Sequence, residues 1–397
     1  VEVVLSLGEQ PLANALVREG HAEQVEPRYP LELGFCPGCA LAQITVSIPP
    51  EELFTDYPYF SSYADAVTSN AETLVHRVMD RRQLGADSLV MEVASNDGYL
   101  LKHYAQAGVA VLGIDPAKNV AAVAEESGVP TLTAFFGCDV AEQLRREGRR
   151  ADVLHANNVL AHVPDVNGVI GGMSRVLADD GVAIVETPYV RDLVDKLEFD
   201  TIYHEHLFYY SLTSFASLLD RHGLEIVDVE RIPIHGGTLR VYAARPQAVA
   251  VAPSVERLLA EERELGMSEV GYFEGFAARV TGLCRKLVAL LDRLAEDGCR
   301  VAAYGAAAKG TVLLNAAGID ARSIEFVADK NPHKQGYYMP GVHVPVVAPE
   351  EITERMPDYL LLLAWNFADE VMRQQSEYAA GGGRFIVPVP EPTIVGG

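Results

Sequence analysis

The sequence predicts an α/β protein with a doubly wound, mostly parallel sheet at its centre. A small turn-rich region precedes that sheet, and a second, smaller α/β unit follows it. Three observations carry this expectation. From about Ser88 onward, short apolar runs alternate with helical segments, the pattern of βαβ units. Residues 1–55 lack that alternation and hold strand-like pieces, turns and Cys36-Pro37-Gly38-Cys39. A further strand, Gly-rich turn and helix begin at Val301. At 397 residues the chain is too long for one small core, and the expected division is 1–55, 56–250 and 251–397.

Hydrophobic residues make up 49% and charged residues 22%, an ordinary globular balance. The 32 basic against 55 acidic residues leave a net charge of −23. Nonspecific nucleic-acid binding needs surplus Lys and Arg, so that class is excluded. A small phosphate-bearing ligand needs only a few local donors and stays open. No apolar run approaches the roughly 20 residues that span a bilayer. Tyr359 to Trp365 reads as a buried strand, and Val1 to Leu5 lacks the features of a signal peptide. Five cysteines in this length do not make a disulfide scaffold, so a soluble cytoplasmic protein is expected.

Taken in order, Pro49-Pro50 and Pro58 punctuate an aromatic stretch from Tyr57 to Tyr63, and a helix is expected from Ala64 to Gln83. A strand over Ser88–Val93 ends in Ala94-Ser95-Asn96-Asp97-Gly98. A helix over Tyr99–Ala107 leads to a strand over Ala110–Ile114, which ends at Asp115. Further strands are expected over Val153–Ala156, Val182–Glu186 and Thr238–Ala244, the last closing the sheet. Phe273, Phe276, Val280, Leu283, Leu287, Leu290 and Leu294 recur at threes and fours, one apolar helix face. It packs across a domain boundary or, alternatively, pairs in a dimeric coiled coil. Strands over Val301–Tyr304, Ile324–Val327 and Tyr359–Leu363 build the last unit.

Glu92 to Gly98 stands where open α/β sheets place their ligand, beyond the carboxyl end of a strand. It is not GxGxxG; Glu92, Asn96 and Asp97 offer acceptors, which suit a cationic amino-acid group better than a phosphate. Asp115, about 20 residues on, suits both hydroxyls of a ribose. A ligand with an ammonium, a carboxylate and an adenosine ribose is S-adenosylmethionine (SAM). A nicotinamide cofactor and a structural turn are the alternatives. Asn157, Asn158 and His162 fall on the same rim, with helix capping as the bland reading of the two asparagines.

Tyr203-His204-Glu205-His206 is dense in proton-moving groups, with Tyr203, Glu205 and His206 expected to face inward. HExH lacks the i, i+4 spacing of metal-binding histidines on a helix. General acid–base work, structural hydrogen bonding and metal binding all remain readings of it. A base beside SAM suits a carbon nucleophile, whose C–H proton must leave first and is acidic α to a ketone. His235-Gly236-Gly237 adds a turn near the same pocket. Cys36 and Cys39 form half of a zinc site, or else a thiol pair. Tyr304-Gly305-Ala306-Ala307-Ala308-Lys309-Gly310 opens a helix and makes an anion site, or an Ala-rich structural turn.

With Leu7-Gly8-Glu9-Gln10-Pro11-Leu12-Ala13-Asn14, these segments make the whole chain resemble the three-domain, SAM-dependent C-methyltransferases of deoxysugar biosynthesis. Within that family the likeness is to the branch serving tetrocarcin-type nitro-sugar formation. The resemblance implies a zinc-binding N-terminal domain, a class I SAM methyltransferase-type central domain and a Rossmann-like C-terminal domain that helps hold a dTDP-sugar, in an enzyme favoured as a monomer. It implies methylation at C-3 of a 3-amino-4-keto sugar through an enolate, the alternatives being a 3-hydroxy sugar or C-5. By match, His206 is the base, Tyr203 and His162 steady the 4-oxygen, Glu205 orients neighbours and Tyr57 reaches in. SAM falls to Tyr63, Glu92, Ser95, Asn96, Asp97, Gly98, Asp115, Pro116, Asn157 and Asn158. The sugar nucleotide falls to Lys309, Tyr304, Gly305, Ala306 and His235, and zinc to Cys36 and Cys39. The family's other CxxC lies ahead of the Leu-Gly-Glu-Gln segment.

Overall fold

A computed structural model describes residues 1–18, 20, 25–49, 62 and 65–396. Three sheets and one two-stranded pair organise the chain. The N-terminal strands are β1 (Glu2–Pro11), β2 (Val17–Arg18), β3 (Arg28–Cys36) and β4 (Leu41–Ile44). Along β3, Leu31, Leu33 and Phe35 alternate inward at no more than 1% exposure, the period of a half-buried antiparallel strand.

The central strands are β5 (Leu89–Val93), β6 (Ala110–Ile114), β7 (Thr131–Leu132), β8 (Ala151–Asn157), β9 (Leu177–Pro188), β10 (Phe208–Tyr209), β11 (Glu225–Ile232) and β12 (Thr238–Ala244). All but β10 form one sheet in the order β11-β12-β9-β8-β5-β6-β7. The run from β9 to β7 is parallel, and β12 is antiparallel to both its neighbours. Both faces are covered: Met91 joins one apolar cluster and its neighbour Val90 another, which is why β5 reads as a continuous apolar run. The chain leaves β5 for β6 on one side and later returns to β8 on the other. The carboxyl ends of β5 and β8 therefore diverge into a crevice.

β10 instead pairs with β4, so the residues just after Tyr203–His206 extend the N-terminal sheet. A two-residue strand has no periodicity to read, and this join was not expected. The helix Asp65–Arg82 precedes β5, close to the expected span.

The last strands are β13 (Val301–Tyr304), β14 (Val327–Ala328), β15 (Tyr337–Tyr338), β16 (Val346–Val347), β17 (Tyr359–Leu362), β18 (Arg384–Val387) and β19 (Thr393–Val395). Their sheet runs β16-β14-β13-β17-β18-β19, parallel except for β19, with its own switch point between β13 and β17. β15 pairs with β2 and ties the N-terminal segment to this unit. The expected strand over Ile324–Val327 narrows to Val327–Ala328, and Trp365 lies past the end of β17 in a turn.

The helix Phe276–Glu296 buries Phe276, Val280, Leu283, Leu287, Leu290 and Leu294, the face predicted from the spacing. Phe273 sits before it in a 3-10 turn, separated by Gly275 at φ +73°. The helix packs on β1 and on the helix Ala308–Ala317, so its apolar face is consumed within the chain. At about 1.5–3 kcal/mol for each fully buried Leu or Phe, that face is a major source of cohesion between the regions. Among the described residues, no helix is long and apolar enough to cross a membrane.

Candidate active site

The loop after β5 turns sharply, with Ala94, Asn96 and Gly98 at φ +54°, +49° and +76°. Asn tolerates that conformation through local hydrogen bonding; Ala does not, so Ala94 stores strain beside the crevice. Gly98 has a second reason, since a Cβ there would stand 3.1 Å from Val129. The turn gathers buried acceptors: Glu92, Ser95, Asn96 and Asp97 are all at most 6% exposed. Asp115, at the end of β6, accepts from the backbone N–H groups of Asn96 and Ala117 at 2.9 Å each. Pro116 follows it, half-buried.

Burial, then the Asp115, Asp97 and Glu186 carboxylates, push the Glu92 carboxyl well above its ordinary range. Burial also raises Asp115, against those two backbone donors. Glu92 Oε2, Ser95 Oγ, Asp97 Oδ1 and Asn157 Oδ1 are buried without a hydrogen-bond partner among the described residues. Such an arrangement is costly unless a ligand brings donors. An ammonium group and two ribose hydroxyls are donors of the required kind, so these residues fit SAM. Asn158, at φ +54°, donates its N–H to the Glu186 carbonyl at 2.8 Å and shapes the opposite lip.

The second part of the site is the turn Tyr203–His206, closed by the His206 N–H to the Tyr203 carbonyl at 2.8 Å. His206 donates Nδ1–H to the Thr201 carbonyl at 2.9 Å, and its Nε2 accepts from the Tyr203 hydroxyl at 2.8 Å. The two rings stack at 4.0 Å between centroids. His162 donates Nδ1–H to the Glu205 carbonyl at 2.7 Å, and its ring lies 4.6 Å from that of His206. A carbonyl can only accept, so both imidazoles carry hydrogen on Nδ1, and each in its neutral form has its lone pair on Nε2. Burial holds His162 down at about 4, partly opposed by that carbonyl.

Of the four residues read together, the structure joins Tyr203 and His206 with His162. His204 faces away, 3.3 Å from the Pro30 carbonyl and edge-on to Tyr29. The Glu205 side chain meets Asn14. Tyr57 and Tyr63 lie outside the described residues, as does the side chain of His235. The backbone of the latter belongs to the turn Ile234–Gly236. A Cβ on Gly236 would stand 2.5 Å from a Glu198 oxygen, and one on Gly237 would stand 2.3 Å from Asp192, so only glycine fits there.

The Gly-Lys turn forms the rim of the C-terminal sheet. Tyr304 is buried, Gly305 has φ +97°, and the Ala306 N–H donates to Asp329 at 2.7 Å. Lys309 donates to Asn366 at 2.8 Å and lies 4.5 Å over the Trp365 ring. Trp365 Nε1–H donates to Asp200 at 2.6 Å. Burial pushes Asp200 up to about 6 and Glu198 up to about 7, while Lys309 opposes both rises. Asp200, Glu198, Trp365 and Asn366 carried no motif; the one signal was that the chain has a single Trp.

Cys36 and Cys39 are free thiols in one turn. The Cys39 side chain lowers the Cys36 thiol, and burial raises that of Cys39. Among the described residues, no group of three or more His, Cys, Asp or Glu side chains could hold a metal. The pair offers two of the four ligands that tetrahedral zinc needs, and the residues described do not by themselves fit the ion.

A seven-stranded sheet with one reversed strand, and a buried acceptor cradle at its switch point, define a class I SAM-dependent methyltransferase. Residues 63–229 match the family described as methyltransferase domain, 233–390 that described as C-methyltransferase C-terminal domain, and 1–54 a zinc binding domain family. The chain is 39% identical over 393 residues to C-methyltransferase NovU of Streptomyces niveus, covering 99% of this chain and 94% of that protein. The chain belongs to the three-domain, SAM-dependent C-methyltransferase family. A shorter likeness, 28% over 99 residues, covers 25% of this chain and 40% of a ubiquinone biosynthesis O-methyltransferase of Bartonella quintana (strain Toulouse). Magnesium protoporphyrin IX methyltransferase of Synechocystis PCC 6803, solved with bound SAM, aligns over 45% of this chain and 79% of its own at 17% identity and a TM-score of 0.35.

Proposed function

We propose that this enzyme methylates C-3 of a dTDP-3-amino-2,3,6-trideoxy-4-keto-hexose through an enolate, in the cytoplasmic biosynthesis of an antibiotic deoxysugar of tetrocarcin type. The observation that carries the chemistry is the pair of imidazoles with lone pairs on Nε2, one of them bonded to a tyrosine hydroxyl. SAM, which the acceptor cradle of Glu92, Ser95, Asp97, Asp115 and Asn157 would hold, would supply an electrophilic methyl group. His206 Nε2 takes the C-3 proton, and the C–H electron pair passes into the enolate. Tyr203 turns its hydroxyl from His206 to the developing 4-oxygen, where a donor is worth most. The new C–C bond forms as the methyl–sulfur bond breaks, and the proton stays on His206.

His162 enters differently from what the family resemblance implies. It is neutral, and its Nδ1–H is spent on the Glu205 carbonyl. Its Nε2 can accept but not donate, which suits the 3-amino group rather than the 4-oxygen. Lys309 would meet the diphosphate with Tyr304 behind it, whereas the N–H groups of Gly305 and Ala306, given to the Ala328 carbonyl and Asp329, shape the turn and have no donor left for the anion.

The test is mass spectrometry of reactions with labelled SAM and two dTDP-4-keto sugars, 3-amino and 3-hydroxy, in deuterated water. Methylation of the 3-amino sugar, with deuterium entering C-3 when SAM is withheld, is the expected result. Methylation of the 3-hydroxy sugar alone would replace the substrate and keep the chemistry. Neither methylation nor exchange would overturn the proposal.

A further inference from the structure

The segment Leu12–Leu16 forms a tight turn, closed by the Ala15 N–H to the Leu12 carbonyl at 3.1 Å and the Leu16 N–H to the Asn14 carbonyl at 2.9 Å. The buried Thr311 hydroxyl, in the first turn of the helix Ala308–Ala317, donates to the Ala13 carbonyl at 2.9 Å. A helix of the C-terminal unit thus holds an N-terminal turn. The next residue of that turn crosses to the central unit, where Asn14 Nδ2–H donates to Glu205 Oε1 at 3.1 Å. The Asn14 side chain is exposed, whereas Glu205 is 5% exposed and its Oε2 has no hydrogen-bond partner among the described residues. The peptide carbonyl of the same Glu205 orients His162.

We infer that Asn14 is a positioning residue. It fixes the Glu205 side chain and, through the Glu205 peptide, the His162 imidazole, so a turn of the N-terminal region becomes part of the acid–base loop. This rests on the proposed place of Glu205 and His162 in the site. Removing the amide leaves a buried carboxylate short of a donor, which favours its protonated form and loosens the loop.

The experiment is steady-state kinetics against pH for N14A, N14D, E205Q and the N14A/E205Q pair, with thermal melting of each. N14A is expected to lower kcat about tenfold, the worth of one hydrogen bond to a charged group. Its KM for SAM stays unchanged, and its acidic limb moves to higher pH. N14D moves that limb further, because a second carboxylate would face the first. Both are expected to melt somewhat below wild type, because the buried Glu205 carboxylate loses its donor. The moved limb at unchanged KM is therefore the readout a merely structural role would not give, and N14A costs nothing more once E205Q is present. Wild-type kcat and an unmoved limb in N14A, with E205Q impaired, would overturn the role of Asn14 alone. Full turnover in E205Q would overturn the reading of Glu205 beneath it.

Discussion

His162 and His206 each commit Nδ1 to a backbone carbonyl, so the chain settles two tautomers before any substrate arrives. This separates otherwise similar rings. His206 has a phenol on its Nε2 and can pass a proton, whereas His162 is buried, held down at about 4 and stays neutral at physiological pH. H206N tests the assignment, because its amide still reaches the Thr201 carbonyl but cannot take up a proton. Turnover is expected to fall by about 10²–10⁴, the usual worth of a positioned base. Binding of S-adenosylhomocysteine, measured by calorimetry, should be unchanged. Turnover near that of the unaltered enzyme would remove His206 as the base.

The elements show why part of this site was legible in the sequence and part was not. β12 over Thr238–Ala244 and β13 over Val301–Tyr304 coincide with the runs read from the sequence, β12 through the alternation of Leu239, Val241 and Ala243 with other residues and β13 as a short run buried along its whole length. The cradle was equally legible, since Glu92 to Gly98 and Asp115 end consecutive strands and local order alone brings them together. Asp200 and Trp365 were not, because their hydrogen bond joins positions 165 apart and only packing of two sheets makes it. Asn14 and Glu205, 191 apart, are a second case. The element that enforces such encounters is the helix Phe276–Glu296, which touches both β1 and the helix Ala308–Ala317. Leu287 is fully buried in its face. L287A should therefore cost about 2–5 kcal/mol, read by urea unfolding. A loss below 1 kcal/mol, the scale of surface changes, would mean that the face closes over the gap and does not carry the junction.

Across the whole molecule, a chain of net charge −23 is proposed to bind an anionic diphosphate, so the local balance at Lys309 decides whether it can. Asp200 and Glu198 face Lys309, with Asp192, Lys196 and Arg231 in the same network. Burial raises Asp200 to about 6 and Glu198 to about 7. Above pH 7 both are ionised and offset the ammonium. As pH falls through 7 and then 6 each takes up a proton, and Lys309 is left to attract an anion. The diphosphate of a dTDP-sugar is a diester whose charge does not change over that range. Affinity for dTDP-glucose should accordingly weaken from pH 6 to pH 8, with a limit of about tenfold per pH unit for each proton linked to binding. D200N should flatten the lower part of that dependence and E198Q the upper, because each removes one titrating carboxylate while keeping its shape. Calorimetric titrations at pH 6, 7 and 8 measure this directly. A flat profile in the unaltered enzyme would place the diphosphate away from Lys309, and with it the sugar nucleotide away from the rim of the C-terminal sheet.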